Sequence, residues 1–320
     1  MTDRNSDFVI DYRRREMVEP AFERAVAAAE DIRSRYGDSV VAVLFYGSCL
    51  RLGDDQDKIL DFYIIVDGYK TAYRRTSLAI WNKLLPPNVF YAETDAPGGI
   101  VRTKYAVLSA QDLARRTTAK SLEVTFWARF AQPVTLIYAR DEQAREMVVS
   151  ALANSVTTLV STTAPLMPDE FSAREFWTVA FAQTYRAELR SESGQKPDEL
   201  YRMFARRYDE LTAAALRRAG YQVTERRSAG DEISFVLQAR NDSPRTARRL
   251  WALRRLHGKM RSVLRLMKAS LTFDGGIAYL VWKISRHSGV EITLTPWQQR
   301  HPVLTGLLLF WRLRRKGAFR

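Results

Sequence analysis

The clearest pattern in this sequence is a pair of short apolar runs that end at turn-forming residues. Val40–Tyr46 is continuously apolar and is followed by Gly47-Ser48. Ile59–Val66 is apolar apart from Asp61 and a tyrosine, and it ends at Asp67-Gly68. Runs of this length between turn signals are typical of strands that are buried in a sheet.

A hairpin and one further strand are predicted after these two runs. Residues 88–94 and 100–108 flank the turn residues 95–99, Asp-Ala-Pro-Gly-Gly, and this arrangement predicts two antiparallel strands. Residues 134–138 predict another strand, which begins after Pro133.

In the segments between these strands, apolar residues recur at helical spacing. This spacing predicts helices over residues 16–36 and 69–85, the second stopped by Pro86-Pro87, and a helical region from a Ser109 N-cap to about Phe130. The predicted fold class is therefore α+β, with a mixed sheet and flanking helices.

The second half of the chain is predicted to be mainly helical. An aromatic stripe at helical spacing predicts a core helix, and its members are Phe171, Phe176, Trp177, Ala180, Phe181 and Tyr185. Residues 221–226 and 233–239 predict a small hairpin, and Ser243-Pro244 predicts the start of a long helix. The apolar residues of this long helix are predicted to face inward, and they are Leu253, Leu256, Met260, Val263, Leu264 and Met267.

Three segments follow from this pattern. A sheet-containing domain is predicted over residues 1–165, and a helical domain that could include a winged-helix-like element over residues 166–298. Residues 299–320 predict an amphipathic basic helix. Its apolar run, residues 303–311, is too short to span a bilayer, so the helix either lies in a membrane interface or docks on the protein's own core. Its predicted membrane-contacting residues are Leu307, Leu308, Phe310, Trp311, Arg312, Arg314 and Arg315.

Positive charge is concentrated in the last quarter of the chain. The net charge of the whole chain is +14, whereas residues 245–320 carry 17 Lys and Arg against Asp274 and Glu291, a net charge of +15. Such a segment attracts polyanions, either nucleic acid or an anionic membrane surface, unless it is only a solvated face.

The single cysteine, Cys49, excludes an intramolecular disulfide and fits a reducing compartment. The pattern shows neither a secretory signal nor a run of about 18 apolar residues that would span a bilayer. The sequence therefore predicts a cytoplasmic protein that is soluble or peripherally associated with the membrane.

The candidate chemistry lies where the first strand ends and the second begins. A Gly47-Ser48 turn allows backbone N–H groups to approach a triphosphate, and Asp61 on the next strand could bind Mg²⁺, as in nucleotidyltransferases. Position 63, where a second carboxylate would share the face of Asp61, is Tyr. Asp67 has the same strand parity, but it lies roughly 20 Å away along an extended strand and also fits a turn.

Four motifs in this order resemble one known family. They are Tyr46-Gly47-Ser48, Leu60-Asp61-Phe62 with Val66-Asp67, Thr-Lys-Tyr-Ala-Val-Leu-Ser at 103–109, and Ala-Arg-Phe-Ala-Gln-Pro-Val at 128–134. They resemble the mitochondrial-type CTP:phosphatidate cytidylyltransferases, whose pattern reads Tyr-Gly-Ser, Asp-Phe, Lys-Tyr-Gly-Val-x-Ser and Gly-Arg-x-x-Lys-Pro-Val. The chain departs from the pattern at Ala106 and Ala128, where the family has glycine, and at Gln132, where it has lysine.

The resemblance implies a nucleotidyltransferase-like sheet and a Mg²⁺-dependent transfer of CMP from CTP to phosphatidic acid. The products would be CDP-diacylglycerol and pyrophosphate, formed at an anionic membrane surface. The acceptor phosphate has a second pKa near 6, so it is already anionic at neutral pH and needs no general base. Cations that bring two anions together suit this reaction.

The roles in this hypothesis divide among a few residues. Asp61 and Lys104 are the catalytic candidates, and Asp61, helped by Asp67, is the Mg²⁺ ligand. The substrate-binding candidates are Tyr46, Gly47, Ser48 and Arg129. Lys104 either neutralises a phosphate or is a surface lysine, and Arg129, in an apolar segment, must meet a phosphate or a carboxylate.

Two alternatives to this function stay open. One is a soluble nucleotidyltransferase with a hydroxyl acceptor, which would need a second carboxylate where Tyr63 stands. The other is a non-catalytic protein that binds a nucleotide or RNA through the basic last quarter. The sequence shows no RNA-recognition module, so no nucleic-acid partner is expected.

Overall fold

The computed structural model describes residues 3–53, 58–188, 195–227, 233–238 and 243–272, together with Thr295. Helices and strands alternate in the first part of the chain. These elements are α1 (Asp3–Glu16), α2 (Glu23–Ser34), β1 (Val40–Tyr46), α3 (Ser48–Leu52), β2 (Ile59–Val66), α4 (Tyr69–Ala72), α5 (Thr76–Leu84), β3 (Asn88–Ala96), β4 (Gly99–Ser109), α6 (Ala110–Arg116), α7 (Val124–Phe130), β5 (Thr135–Ala139) and α8 (Glu142–Thr163).

Helices dominate the remainder of the described chain. Its elements are β6 (Glu170–Ser172), α9 (Ala173–Ala187), α10 (Lys196–Met203), α11 (Ala205–Arg218), β7 (Val223–Arg227), β8 (Ile233–Leu237) and α12 (Pro244–Thr272). Strands β6, β8 and β7 form a small antiparallel sheet in that order, and β7 and β8 are the hairpin that the sequence predicts.

The main sheet has five strands in the order β3-β4-β2-β1-β5. Strands β2 and β4 are parallel, and all other neighbours in this sheet are antiparallel. The interior strands β1 and β2 have the predicted bounds, and β3 and β4 form the predicted hairpin. The predicted α+β class is confirmed, because a mixed sheet flanked by helices is followed by a mainly helical part.

The main sheet is buried on both faces, and alternate residues of β2 divide between them. Phe62 and Ile64 pack with α2 in one core cluster, whereas Tyr63 and Ile65 pack in another with residues of α7 and α8. Because side chains alternate along a strand, Asp61 lies on the same face as Tyr63.

Most of the predicted aromatic stripe is buried on α9, but Phe171 lies on β6 and Tyr185 is only partly buried. Phe176, Trp177 and Phe181 are fully buried in a cluster that also holds residues of α7, α8 and α11. Ser172 and Glu175 form a capping box that fixes the start of α9. The domain boundary between residues 165 and 166 stays a prediction, and the segment 299–320 lies outside the described residues.

Within the described ranges, one helical segment is long and apolar enough to cross a membrane. It is Glu142–Leu166, which comprises α8 and the short 3₁₀ turn after it, with a mean hydropathy of 1.3 over its most apolar window. That window is 72% buried within the protein, in contact with the sheet and with the C-terminal helices. Length and composition alone therefore do not assign it to a bilayer, since buried core helices meet the same criterion.

Helix α12 begins at Pro244 as predicted, but the predicted orientation of its apolar residues is wrong. Five of them are exposed: Leu253, Leu256, Met260, Val263 and Leu264. The side chain of Met267 lies outside the described residues. Cations occupy the inward face because it lies over oxygen atoms: the Lys268 ammonium donates to the carbonyls of Leu85 and Pro87, and Arg265 pairs with the buried Glu123 carboxylate.

Candidate functional site

Three polar side chains form a row across the main sheet where β1 ends and β2 begins. Tyr46 lies opposite Asp61 in the antiparallel pair of β1 and β2, and Asp61 lies opposite Lys104 in the parallel pair of β2 and β4. Opposite residues on neighbouring strands project from the same face of a sheet. The structure therefore brings together three of the residues that the sequence singles out.

Asp61 and Lys104 form an ion pair in which the contacting oxygen, Asp61 Oδ1, is itself buried. The Lys104 Nζ atom lies 2.8 Å from Asp61 Oδ1, and both side chains are partly exposed. The contact is electrostatic, since within the described part of the chain this oxygen accepts no aligned hydrogen bond. A partly exposed pair of this kind stabilises a fold by about 1 kcal/mol at most, so breaking this ion pair would cost the fold little stability.

Gly47 brings the chain backbone against the Asp61 carboxylate. It is buried directly after β1, and its φ of +99° lies in the region that favours glycine. A Cβ atom built on Gly47 would lie 2.7 Å from Asp61 Oδ2. Ser48, the first residue of α3, is exposed beside this turn. Glycine is therefore required here both by conformation and by space.

Arg129 on α7 extends the site into the protein. Its Nη1 atom lies 3.5 Å from Glu188 Oε1, so the partner that the sequence leaves open is a carboxylate at the end of α9. Burial lowers the pKa of Arg129, but the negative charges of the Glu188 and Asp61 carboxylates oppose this effect, and the net shift is upward. Arg129 is therefore close enough to the Asp61 row to act on it electrostatically.

Asp67 is not brought to this row. It follows the far end of β2, where its carboxylate lies 2.7 Å from Arg140 Nη1 on the surface and its backbone N–H donates to the Ser39 carbonyl. The extended strand between Asp61 and Asp67 separates them by roughly 20 Å.

The donor set decides how a magnesium ion would be held. Among the described residues, no group of three His, Cys, Asp or Glu side chains is placed to bind a metal. Mg²⁺ at phosphate sites is often held by one or two carboxylates, with phosphate oxygens and water completing its shell. Asp61 therefore fits a metal ion that is shared with a bound triphosphate, and it does not form a protein-only metal cage.

The sequence interpretation missed the contribution of α12 to this face of the sheet. Burial raises the pKa of the Tyr63 phenol, and three nearby cations oppose that rise. They are Arg129, Arg265 and Lys104. The guanidinium of Arg265 also lies 5.6 Å from the ring centroid of Phe126 and donates to the Pro86 carbonyl. In the described part of the chain, this face thus combines the Asp61 carboxylate with several cations.

The sequence contains a pattern that indicates which cations of α12 face the protein. Arg254, Arg261, Arg265 and Lys268 recur at spacings of seven, four and three residues, which place them on one side of a helix. Such a row of cations is readily mistaken for a solvated face, because the carbonyls and the carboxylate that bind it lie more than a hundred residues earlier.

The chain shows no detectable relative in two comparisons with known proteins. No protein-family model matches it, and no curated protein matches it significantly. The predicted membrane-contacting residues of the segment 299–320 lie outside the described part of the chain.

Proposed function

We propose that this chain is a nucleotidyltransferase that transfers CMP from CTP to phosphatidic acid, at the cytoplasmic surface of a membrane. The observation that carries the proposal is the Asp61–Lys104 pair, held beside the glycine turn that ends β1. This arrangement combines a metal-binding carboxylate, a cation and a closely approaching backbone on one sheet face. The four motifs that resemble phosphatidate cytidylyltransferases support the choice of nucleotide and acceptor.

In the proposed reaction, an oxygen of the acceptor phosphate attacks the α-phosphorus of CTP. A bond forms between this oxygen and the α-phosphorus, and the bond from the α-phosphorus to the bridging oxygen of the β-phosphate breaks, which releases pyrophosphate. The attacking oxygen is already ionised at neutral pH, so no proton has to be removed from it. The lack of a carboxylate at position 63 is compatible with this acceptor, because a general base is not required.

The charges of the site match this chemistry. Asp61 and the triphosphate would together hold Mg²⁺, which supplies positive charge at the reacting phosphates. Lys104 would leave Asp61 for a phosphate oxygen, and Arg129 would stay with Glu188 while its positive charge acts across the site. Both cations reduce the repulsion between the two anionic substrates, which is the main obstacle to the reaction.

The proposal is tested by pyrophosphate release from each of the four nucleoside triphosphates, with Mg²⁺ and phosphatidic acid in mixed micelles. We expect release with CTP only, dependent on the lipid and abolished when Mg²⁺ is chelated. Release without lipid would favour a hydroxyl acceptor in its place. If none of the four nucleotides reacts and one nevertheless binds, the chain is a nucleotide-binding protein and the proposal is wrong.

We expect Gly47→Ala to lower the rate of CMP transfer by about 100-fold. The added Cβ would displace Asp61 or the turn, and a shift of about 1 Å in a catalytic group costs a factor of this size. Gly98→Ala is the matched control, because Gly98 has a φ of +83° but no described atom lies within 4 Å of the position that an added methyl group would take. Both variants should lose about 1 kcal/mol of stability through backbone strain, and only Gly47→Ala should lose activity.

A further inference from the structure

Helix α12 presents an apolar stripe to solvent. The stripe, which we name the outer face of α12, consists of Leu253, Leu256, Met260, Val263 and Leu264. Between 43% and 70% of each of these residues is exposed. Single exposed apolar residues are common on proteins, but five on one side of one helix are not explained by that.

The rotation of α12 about its axis is fixed by its inner face. Trp251 is buried and donates from Nε1 to the Thr162 carbonyl. Gly258 crosses α9 so closely that an added Cβ atom would collide with the Ala187 carbonyl oxygen. These contacts keep the outer face of α12 turned away from the protein.

A second exposed apolar segment lies beside α12. Helix α5 exposes Ile80, Trp81 and Leu84. The end of α5 contacts the C-terminal half of α12, since the Lys268 ammonium donates to the carbonyl of Leu85. Tryptophan is enriched where proteins meet the interface of a bilayer.

The charge of both segments selects the partner. Helix α12 contains nine Lys and Arg and no Asp or Glu, and α5 contains Lys83 and no acid. Several of these cations are exposed beside the outer face of α12, among them Arg248, Arg249 and Lys259. The cations alone would be compatible with RNA binding. The exposed leucine, valine and methionine side chains would, however, find no apolar surface to contact on an RNA backbone. An anionic bilayer matches both, with its acyl chains and its headgroups.

We infer that the outer face of α12 binds the surface of a bilayer that contains anionic phospholipid. This inference deepens the proposed function and rests on it only for the acceptor, which would lie in the same bilayer. The inner face of α12 holds Arg265 near Tyr63 on the sheet. Binding of the outer face would therefore place the candidate site next to the membrane.

The test is sedimentation of the full chain with vesicles, without any nucleotide, so that its result is independent of catalysis. We expect binding to phosphatidylcholine vesicles that contain phosphatidylglycerol, and weak binding without it. Val263→Glu should lower the affinity about tenfold or more, because a charge replaces an inserted methyl group. Val26→Glu is the matched control, since Val26 on α2 is 45% exposed and Val263 is 47% exposed, and its affinity should change less than twofold.

A second measurement distinguishes a loss of membrane binding from misfolding of the Val263→Glu variant. Cys49 is the single cysteine and is buried, so Leu256→Cys can be labelled selectively with an environment-sensitive fluorophore, with Val26→Cys as the control. The label at 256 should shift to the blue on vesicles, and the label at 26 should not.

Four outcomes would overturn the inference. They are an absence of vesicle binding by the wild type, equal binding by Val263→Glu and wild type, salt-sensitive binding of RNA with none of vesicles, and a label at 256 that is already in an apolar environment without lipid. The last outcome would show that the chain itself or a second copy covers the stripe.

Discussion

Asp61→Asn should reduce CTP- and lipid-dependent pyrophosphate release by about 1,000-fold or more. Asparagine keeps the size of the side chain but removes the charge that would hold Mg²⁺ at the triphosphate, and a loss of this size corresponds to about 4 kcal/mol of transition-state stabilisation. The fold should be unaffected, because the ion pair with Lys104 is partly exposed and contributes about 1 kcal/mol at most. Initial rates and thermal unfolding of the same preparation provide both measurements.

Asp67→Asn tests whether Asp67 acts as a metal ligand together with Asp61, as the sequence analysis predicts. Asp67 pairs with Arg140 on the surface, far from Asp61 along β2, so we expect its substitution to change the rate less than twofold. An equal loss of activity in both variants would contradict the site as drawn from the structure. Full activity of Asp61→Asn would show that the proposed function is wrong.

The central strands and the hairpin that follows them could be predicted from the sequence. Val40–Tyr46 and Ile59–Val66 are short apolar runs with clear turn residues after them, and local chemistry is sufficient to define such strands. The hairpin of β3 and β4 follows from its Pro-Gly-Gly turn for the same reason. The meeting of Tyr46, Asp61 and Lys104 then depends on register, which adjacent strands with buried faces fix.

Helix bounds were less well predicted than strand bounds, although Pro20 marks one of the two breaks described next. Residues 69–85 form two helices, because Tyr73 and Arg75 are extended. The helix predicted over residues 16–36 begins at Glu23, and α1 precedes it. In both places the apolar spacing continues through the break, so periodicity alone does not reveal it.

The orientation of α12 could not be predicted, because it depends on partners that are distant in the sequence. A hydrophobic period shows that a helix has two faces, but it does not show which face meets the protein. Here the Glu123 carboxylate and the carbonyls of Leu85 and Pro87 bind the cationic side. The pairing of Arg129 with Glu188 was hidden for the same reason, since 59 residues separate them.

Glu123 joins α12 to the part of the chain that carries the site. Its carboxylate is 4% exposed and pairs with Arg116 on α6 and with Arg261 and Arg265 on α12. Arg116 also pairs with the Asp112 carboxylate, but Glu123 is the carboxylate that pairs with Arg261 and Arg265. Burial lowers the pKa of Arg265 to about 10. The contact of these two arginines of α12 with the rest of the chain is therefore sensitive to the loss of the Glu123 charge.

We expect Glu123→Gln to lower the free energy of unfolding by about 3–5 kcal/mol, because it leaves the largely buried guanidinium groups of Arg261 and Arg265 without their paired carboxylate. Glu146→Gln is the matched control. Glu146 also pairs with an arginine from a distant helix, Arg14, but its side chain is 42% exposed, so its substitution should cost less than about 1 kcal/mol. Urea denaturation of both variants measures the difference. Equal midpoints would show that α12 is held by its apolar and carbonyl contacts alone, whereas a selective loss in Glu123→Gln, with weakened CMP transfer, would show that this carboxylate couples α12 to the candidate site.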